Sequence, residues 1–177
     1  MIIVITGKTA SGKDTIIRSI LTKFPDLKKI ITTTSRTPRA NEINGKDYHF
    51  LSRDEFSEKI ASGDFLEYVE YGGNLYGTER HEFKGKEILW KIDPSMAGKV
   101  KQLLSEESVV IYVTTKGDVI LQRLKERGLS DGEINQRMED DRRIWNEYHK
   151  SYDYVLENIP GELEQTVDKV AQIIGKT

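Results

Sequence analysis

The chain has 177 residues, enough for one domain with a buried core and a cleft beside it. Its 27 basic residues against 29 acidic ones leave no overall field to draw it to nucleic acid or a membrane surface. The absence of cysteine excludes disulfides, thiolate catalysis and thiolate zinc sites, and the apolar stretch at 1–5 is too short and lacks the basic leader of a signal peptide or membrane span, so a cytoplasmic location is expected.

The first predicted element is a buried strand over 2–5, an apolar run rich in β-branched residues. It leads into Gly7-Lys-Thr-Ala-Ser-Gly12-Lys13 and then into the helical pattern Thr15-Ile-Ile-Arg-Ser-Ile-Leu21. In that order the spacing carries a mechanism. The glycines let backbone amides turn inward to a triphosphate, the helix start adds partial positive charge, and Lys13 reaches the outer phosphates. Lys8, Thr9, Ala10, Ser11 and Thr15 complete this candidate ATP-binding loop. Asp14 stands where such loops carry a hydroxyl for Mg²⁺. A carboxylate there would repel phosphate by about 4 kcal/mol per charge pair at ~4 Å and an effective dielectric of ~20, so it fits only with a cation between them. Asp14 is accordingly the candidate Mg²⁺ ligand; the other reading makes it a cap for the following helix.

A second strand is predicted over 29–33. The polar, Tyr- and Gly-containing stretch 35–83 then interrupts the pattern, with one clear helix start in the capping box Ser52-Arg-Asp-Glu55. It is expected to fold as a small β-rich subdomain facing the cleft. Within it, Ser35-Arg-Thr-Pro-Arg39 sets two guanidiniums around a rigid turn, suited to a phosphate monoester, and Tyr48 and Tyr76 offer phenolic donors to the same group. Glu67 is an acid in an otherwise apolar run. Its carboxylate can accept two parallel hydrogen bonds, matching the ring N–H and amino group of guanine but not adenine.

Strands over 87–92, 109–113 and 153–156 follow, separated by helical patterns. Asp118 is expected to cap a helix that stops at Gly128, Ser130-Asp-Gly-Glu133 is a second capping box, and Leu163, Val167, Val170 and Ile174 mark one face of the last helix. Strands alternating with helices predict an α/β fold, a three-layer parallel sheet covered on both faces. His49, His81 and His149 are isolated and carry no ligand spacing.

Eight stretches in this order resemble the guanylate kinase family over nearly the whole chain: the loop at 7–13, Ser35-Arg-Thr-Pro-Arg39, Asn44-Gly-Lys-Asp-Tyr48-His-Phe50, Phe65-Leu-Glu67, Tyr76-Gly-Thr78, Ile92-Asp93, Arg123-Leu-Lys-Glu-Arg127-Gly128 and Tyr154-Val-Leu-Glu-Asn158. The resemblance implies a single P-loop kinase domain over 1–177. Its core would comprise 1–34, 84–126 and 150–177, with a GMP-binding subdomain at 35–83 and a helical lid at about 127–149. It implies Mg²⁺-dependent transfer of the γ-phosphoryl group of ATP to GMP, with no nucleic-acid or membrane partner and an oligomeric state left open. By position, Arg36, Arg39, Tyr48 and Tyr76 would hold the acceptor phosphate, while Thr32, Glu67, Thr78 and Asp93 would face guanine. Lys13, Arg39, Arg127 and Arg137 would surround the transferred group, and Asn158 would lie at the adenine.

Two positions depart from the family pattern: Asp14, and Lys91 where an acidic residue is usual, two before Asp93. A charge exchange between neighbouring elements would keep the net charge of the cation-binding region. Two rivals stand beside this reading. One is a phosphokinase for a ribosyl phosphate, whose loops also read GKD; it gives Glu67 and Thr78 no base to recognise. The other is a guanylate-kinase-like binding module, which is at odds with retention of Lys13 and both loop glycines.

Overall fold

A computed structural model describes residues 1–84, 87–104 and 108–176. Five parallel strands make the central sheet: β1 (Ile2–Gly7), β2 (Lys28–Lys29), β7 (Ile88–Lys91), β8 (Ser108–Thr114) and β9 (Tyr154–Glu157), in the order β2-β7-β1-β8-β9. The strands read as unbroken apolar runs because both faces are covered. Ile3, Ile5, Leu89, Ile111 and Val113 point to one side, against Ile16, Ile17 and Ile20 of α1 (Lys13–Lys23) and Val167 and Val170 of α6 (Leu163–Ile174). Val4, Trp90, Val110 and Tyr112 point to the other, where Ala97 and Val100 of α3 (Pro94–Leu104) and Trp145 and Tyr148 of α5 (Asp131–Tyr148) close the third layer. Among the described residues no helix is long and apolar enough to cross a membrane.

A second, mixed sheet stands beside this core: β3 (Thr33–Thr34), β4 (His49–Phe50), β5 (Phe65–Tyr71) and β6 (Asn74–Glu79), ordered β4-β3-β6-β5. It has its own small core, in which Phe56 of α2 (Arg53–Ala61) stacks on Phe65 with ring centroids 4.4 Å apart. Gly77 is required at this contact, since a Cβ there would lie 2.9 Å from both the Glu67 carbonyl oxygen and the Phe65 ring.

The predicted strand over 29–33 is in fact two. Lys28–Lys29 pair with β7 at the edge of the core sheet, Ile30 still bonds Leu89, and the chain then leaves so that Thr33–Thr34 pair within the second sheet. A continuous β-branched run cannot reveal that its two ends serve different sheets. The helix assigned to Asp118 is α4 (Gly117–Glu126), but Lys116 takes its N-cap position; Asp118 is the second residue of the first turn and accepts from the Val119 amide at 2.8 Å. Gly128, with φ of 78°, does follow its last turn. Both predicted capping boxes form, Ser52 with Glu55 and Ser130 with Glu133.

Helix α2 is nine residues long and buries only Phe56 fully, so its first turn depends on its cap. Ser52→Ala should lower global stability by about 1 kcal/mol, read as a shift in the denaturant midpoint at unchanged slope.

Candidate active site

The loop between β1 and α1 is anchored on the neighbouring strand. The Lys8 amide donates to the Val113 carbonyl at 3.1 Å, and a Cβ on Gly7 (φ 139°) would sit 1.9 Å from that oxygen. Gly12 (φ 93°) is needed for a different reason: Asn158 reaches over it to donate to the Ser11 carbonyl at 2.8 Å, leaving no room for a side chain. The Lys13 ammonium lies under the loop, donating to the carbonyls of Gly7 (2.8 Å) and Lys8. Burial, then the nearby Lys91 ammonium, lower its pKa to about 8. The Asp14 carboxylate does not cap α1, whose N-cap Gly12 receives no side-chain bond; it accepts from Lys91 Nζ at 2.6 Å. Crowding by protein works to raise its pKa, yet 69% of the side chain is exposed to solvent, and Lys91 and Lys13 hold it at about 2.

Two clefts meet at this loop. The first, a cavity of about 170 Å³, lies between the core and the second sheet and is lined by Lys13, Thr32, Tyr48, Glu67, Tyr76, Lys91 and Asp93. Sequence reasoning assigned six of these seven as site residues, although they come from both sheets. Thr78 lies behind Glu67 rather than on the wall. Trp90 Nε1, which can only donate, satisfies the Thr78 hydroxyl oxygen at 2.9 Å, so the Thr78 proton is directed to Glu67 Oε1 at 2.7 Å. Glu67 is 7% exposed and has no cation partner among the described residues; burial pushes its pKa up to about 7. Asp93 stands just before α3, where its carboxylate accepts from the Ser95 amide at 2.9 Å.

The second cleft lies on the other side of the loop, bounded by Gly12, Thr15, Arg123, Arg127, Asn158 and Pro160. Arg123 donates to the Ala10 carbonyl at 2.8 Å. Arg127 is exposed at its rim; crowding by protein and then the charge of Arg39, with Arg123 and Arg137 adding to it, hold its pKa below the usual arginine range.

Not every predicted residue lines a cleft. Arg36 is bound bidentately by Glu42, both contacts at 2.8 Å, and Arg39 projects into solvent with its guanidinium 4.0 Å from the same carboxylate. Arg137 stands with its guanidinium carbon 5.6 Å from the centre of the Tyr71 ring.

Asp141 and Tyr71, which sequence reasoning did not assign, also line the first cleft. Asp141 accepts from the Thr9 loop amide at 2.9 Å; burial raises its pKa to about 6. Its signal was its phase. Ile134, Asp141 and Ile144 are seven and then three residues apart, the buried stripe of α5, so a carboxylate occupies an otherwise apolar helix position.

A glycine-cornered loop between a parallel strand and a helix, with a lysine beneath it and a cleft on either side, defines a P-loop nucleotide kinase. The guanylate kinase family model matches residues 1–177. Guanylate kinases of Symbiobacterium thermophilum and Clostridium perfringens are 32% and 33% identical over 98% of this chain, covering 84% and 82% of their own lengths. The crystal structure of guanylate kinase from Anaplasma phagocytophilum superposes with a TM-score of 0.75 at 27% identity, over 99% of this chain and 85% of that one. The chain belongs to the guanylate kinase family.

The folded-state pKa of Glu67 lies near 7 against an ordinary 4.5, so the folded protein binds the extra proton between those values and loses stability as pH rises through them. Relative to Glu67→Gln, which cannot titrate, the ligand-free wild type should lose about 2 kcal/mol between pH ~5 and ~7.5. Parallel stability curves for the two proteins would contradict the assigned environment.

Proposed function

We propose the following division of labour for the reaction of this family member, which transfers the γ-phosphoryl group of ATP to GMP and releases ADP and GDP. The observation that carries it is the buried Trp90–Thr78–Glu67 chain, set in a cleft whose opposite wall is the phosphate loop. A buried carboxylate with its partner's proton already directed to it suits a base edge that offers two donors, as guanine does and adenine does not. Thr32 and Asp93 complete the guanine end. A bare ribosyl phosphate would leave Glu67 buried without a use.

The acceptor phosphate lies between Tyr48 and Tyr76, with Arg36 and Arg39 from the preceding turn. Arg36 is already ordered by Glu42, whereas Arg39, exposed and only 4.0 Å from that carboxylate at its closest, would swing inward. The triphosphate lies along Gly7–Thr15 with adenine toward Asn158 in the second cleft. An oxygen of the GMP phosphate attacks the γ-phosphorus, the bond to the β-bridging oxygen breaks, and ADP leaves with that electron pair. Positioning and positive charge supply the rate, since the reaction needs little covalent help from the protein. Lys13 acts from the loop; Arg39, Arg127 and Arg137 approach from the solvent side. The helical segment at about 127–149 closes as a lid over the subdomain 35–83 and the core, excluding water as a competing acceptor.

Among the described residues no group of three or more acidic or histidine side chains could hold a metal alone. That fits Mg²⁺, which keeps few protein ligands when phosphates supply the rest, and Asp14 is the residue we assign to it. Held beside Asp14, the ion would supply positive charge to offset that of the phosphates. We place the reaction in the cytoplasm, with ATP and GMP as partners; the near-balanced charge of the chain supports small-molecule substrates over nucleic acid or membrane.

Coupled ADP release tests this with GMP, dGMP, AMP and ribose bisphosphate as acceptors. GMP and dGMP should turn over, with AMP slower in kcat/KM by at least about 10³, the discrimination a site with unpaired buried polar groups imposes. Preference for ribose bisphosphate, or no turnover with GMP, would overturn the assignment.

A further inference from the structure

Lys91 stands at the end of β7 between the two elements expected to hold different substrates. Its ammonium donates to Asp14 Oδ1 on the first turn of α1, at 2.6 Å, and to Tyr48 Oη in the segment before β4, at 2.8 Å. The side chain is 20% exposed and lines the same cleft as Lys13, Tyr48 and Tyr76.

Three consequences follow from hydrogen-bond and charge bookkeeping. An ammonium has three N–H groups, and among the described residues only two of those of Lys91 are engaged. The Tyr48 oxygen already accepts from Lys91, which leaves the phenolic proton to be donated elsewhere in the cleft. Lys13 and Lys91 put two ammonium groups on the wall of a cleft that Asp93 and Asp141 also line, so it is these two donors, and not a net positive field, that would meet an anion.

We infer that Lys91 is a specificity residue for the acceptor, binding its phosphate directly through the free N–H and aiming the Tyr48 hydroxyl at the same group. This rests on the reading that Tyr48 faces the acceptor phosphate. Asp14 then has a second role beside the one assigned toward Mg²⁺: it holds the Lys91 side chain across the cleft from the subdomain.

The test uses the full chain without ATP or metal. GMP binding is measured by calorimetry and guanosine binding by ligand-observed NMR, for wild type, Lys91→Met, Asp14→Asn and the double variant. Lys91→Met should weaken GMP by about ten- to a hundredfold, the worth of a charge-assisted hydrogen bond, and leave guanosine within about twofold. The loss should persist in Asp14→Asn/Lys91→Met, where no unpaired carboxylate is left behind. A loss shared equally by guanosine would make Lys91 merely structural. A loss that disappears in the double variant would assign the effect to the exposed Asp14 charge. Either result overturns the inference while leaving guanine recognition intact, whereas a wild type that binds neither ligand overturns the reading of the cleft and Lys91 with it.

Discussion

The parallel pairing of β1 with β7 on one side and β8 on the other is the constraint on which the site depends. Val4 lies opposite Trp90 and Val110, and Ile5 opposite Lys91 and Ile111, so the three strands end together at one edge. That register delivers the phosphate loop, Lys91 and Asp93 to a single place. It also brings the Val113 carbonyl against Gly7, where no side chain could pass. In an open parallel sheet this carboxyl edge is where ligands are held, because the loops there diverge while the strands beneath stay fixed by both helical layers.

A second sheet then faces that edge. Its contribution is made through one buried hydrogen-bonded chain that begins in the core and ends in the cleft. The Trp90 indole belongs to β7, Thr78 and Glu67 to the second sheet, and the polarity of each donor fixes the next. A carboxylate kept away from water is costly to ionise, so under the proposed reading recognition of a base edge would be tied to proton release.

Much of this was legible in the residues. The loop announced itself because glycine, lysine and helix start must fall in one order for a phosphate to be held, and the strands because sheets buried on both faces leave unbroken apolar runs. Glu67, Tyr48 and Tyr76 were visible as chemistry out of place among their neighbours. The division of 29–33 between two sheets was not, since pairing partners lie outside any local window. Nor was the Arg36–Glu42 pair, formed across a turn whose shape the sequence does not state. Asp141 was missed for an avoidable reason: it sits in a charged run that reads as solvent-facing until the helical phase is counted from Ile134. Lys91 and Asp14 were each conspicuous as departures, and the structure shows them to be one contact.

The central claim is that the base pocket and the phosphate loop are two ends of one binding path. A bisubstrate ligand, guanosine and adenosine joined by five phosphates, measures this most directly by calorimetry beside its diadenosine counterpart. The guanosine-containing ligand should bind at least about a hundredfold more tightly, because joining two occupied sites adds their free energies at a high effective concentration. Equal affinities for the two ligands would contradict a cleft that joins guanine recognition to the phosphate loop.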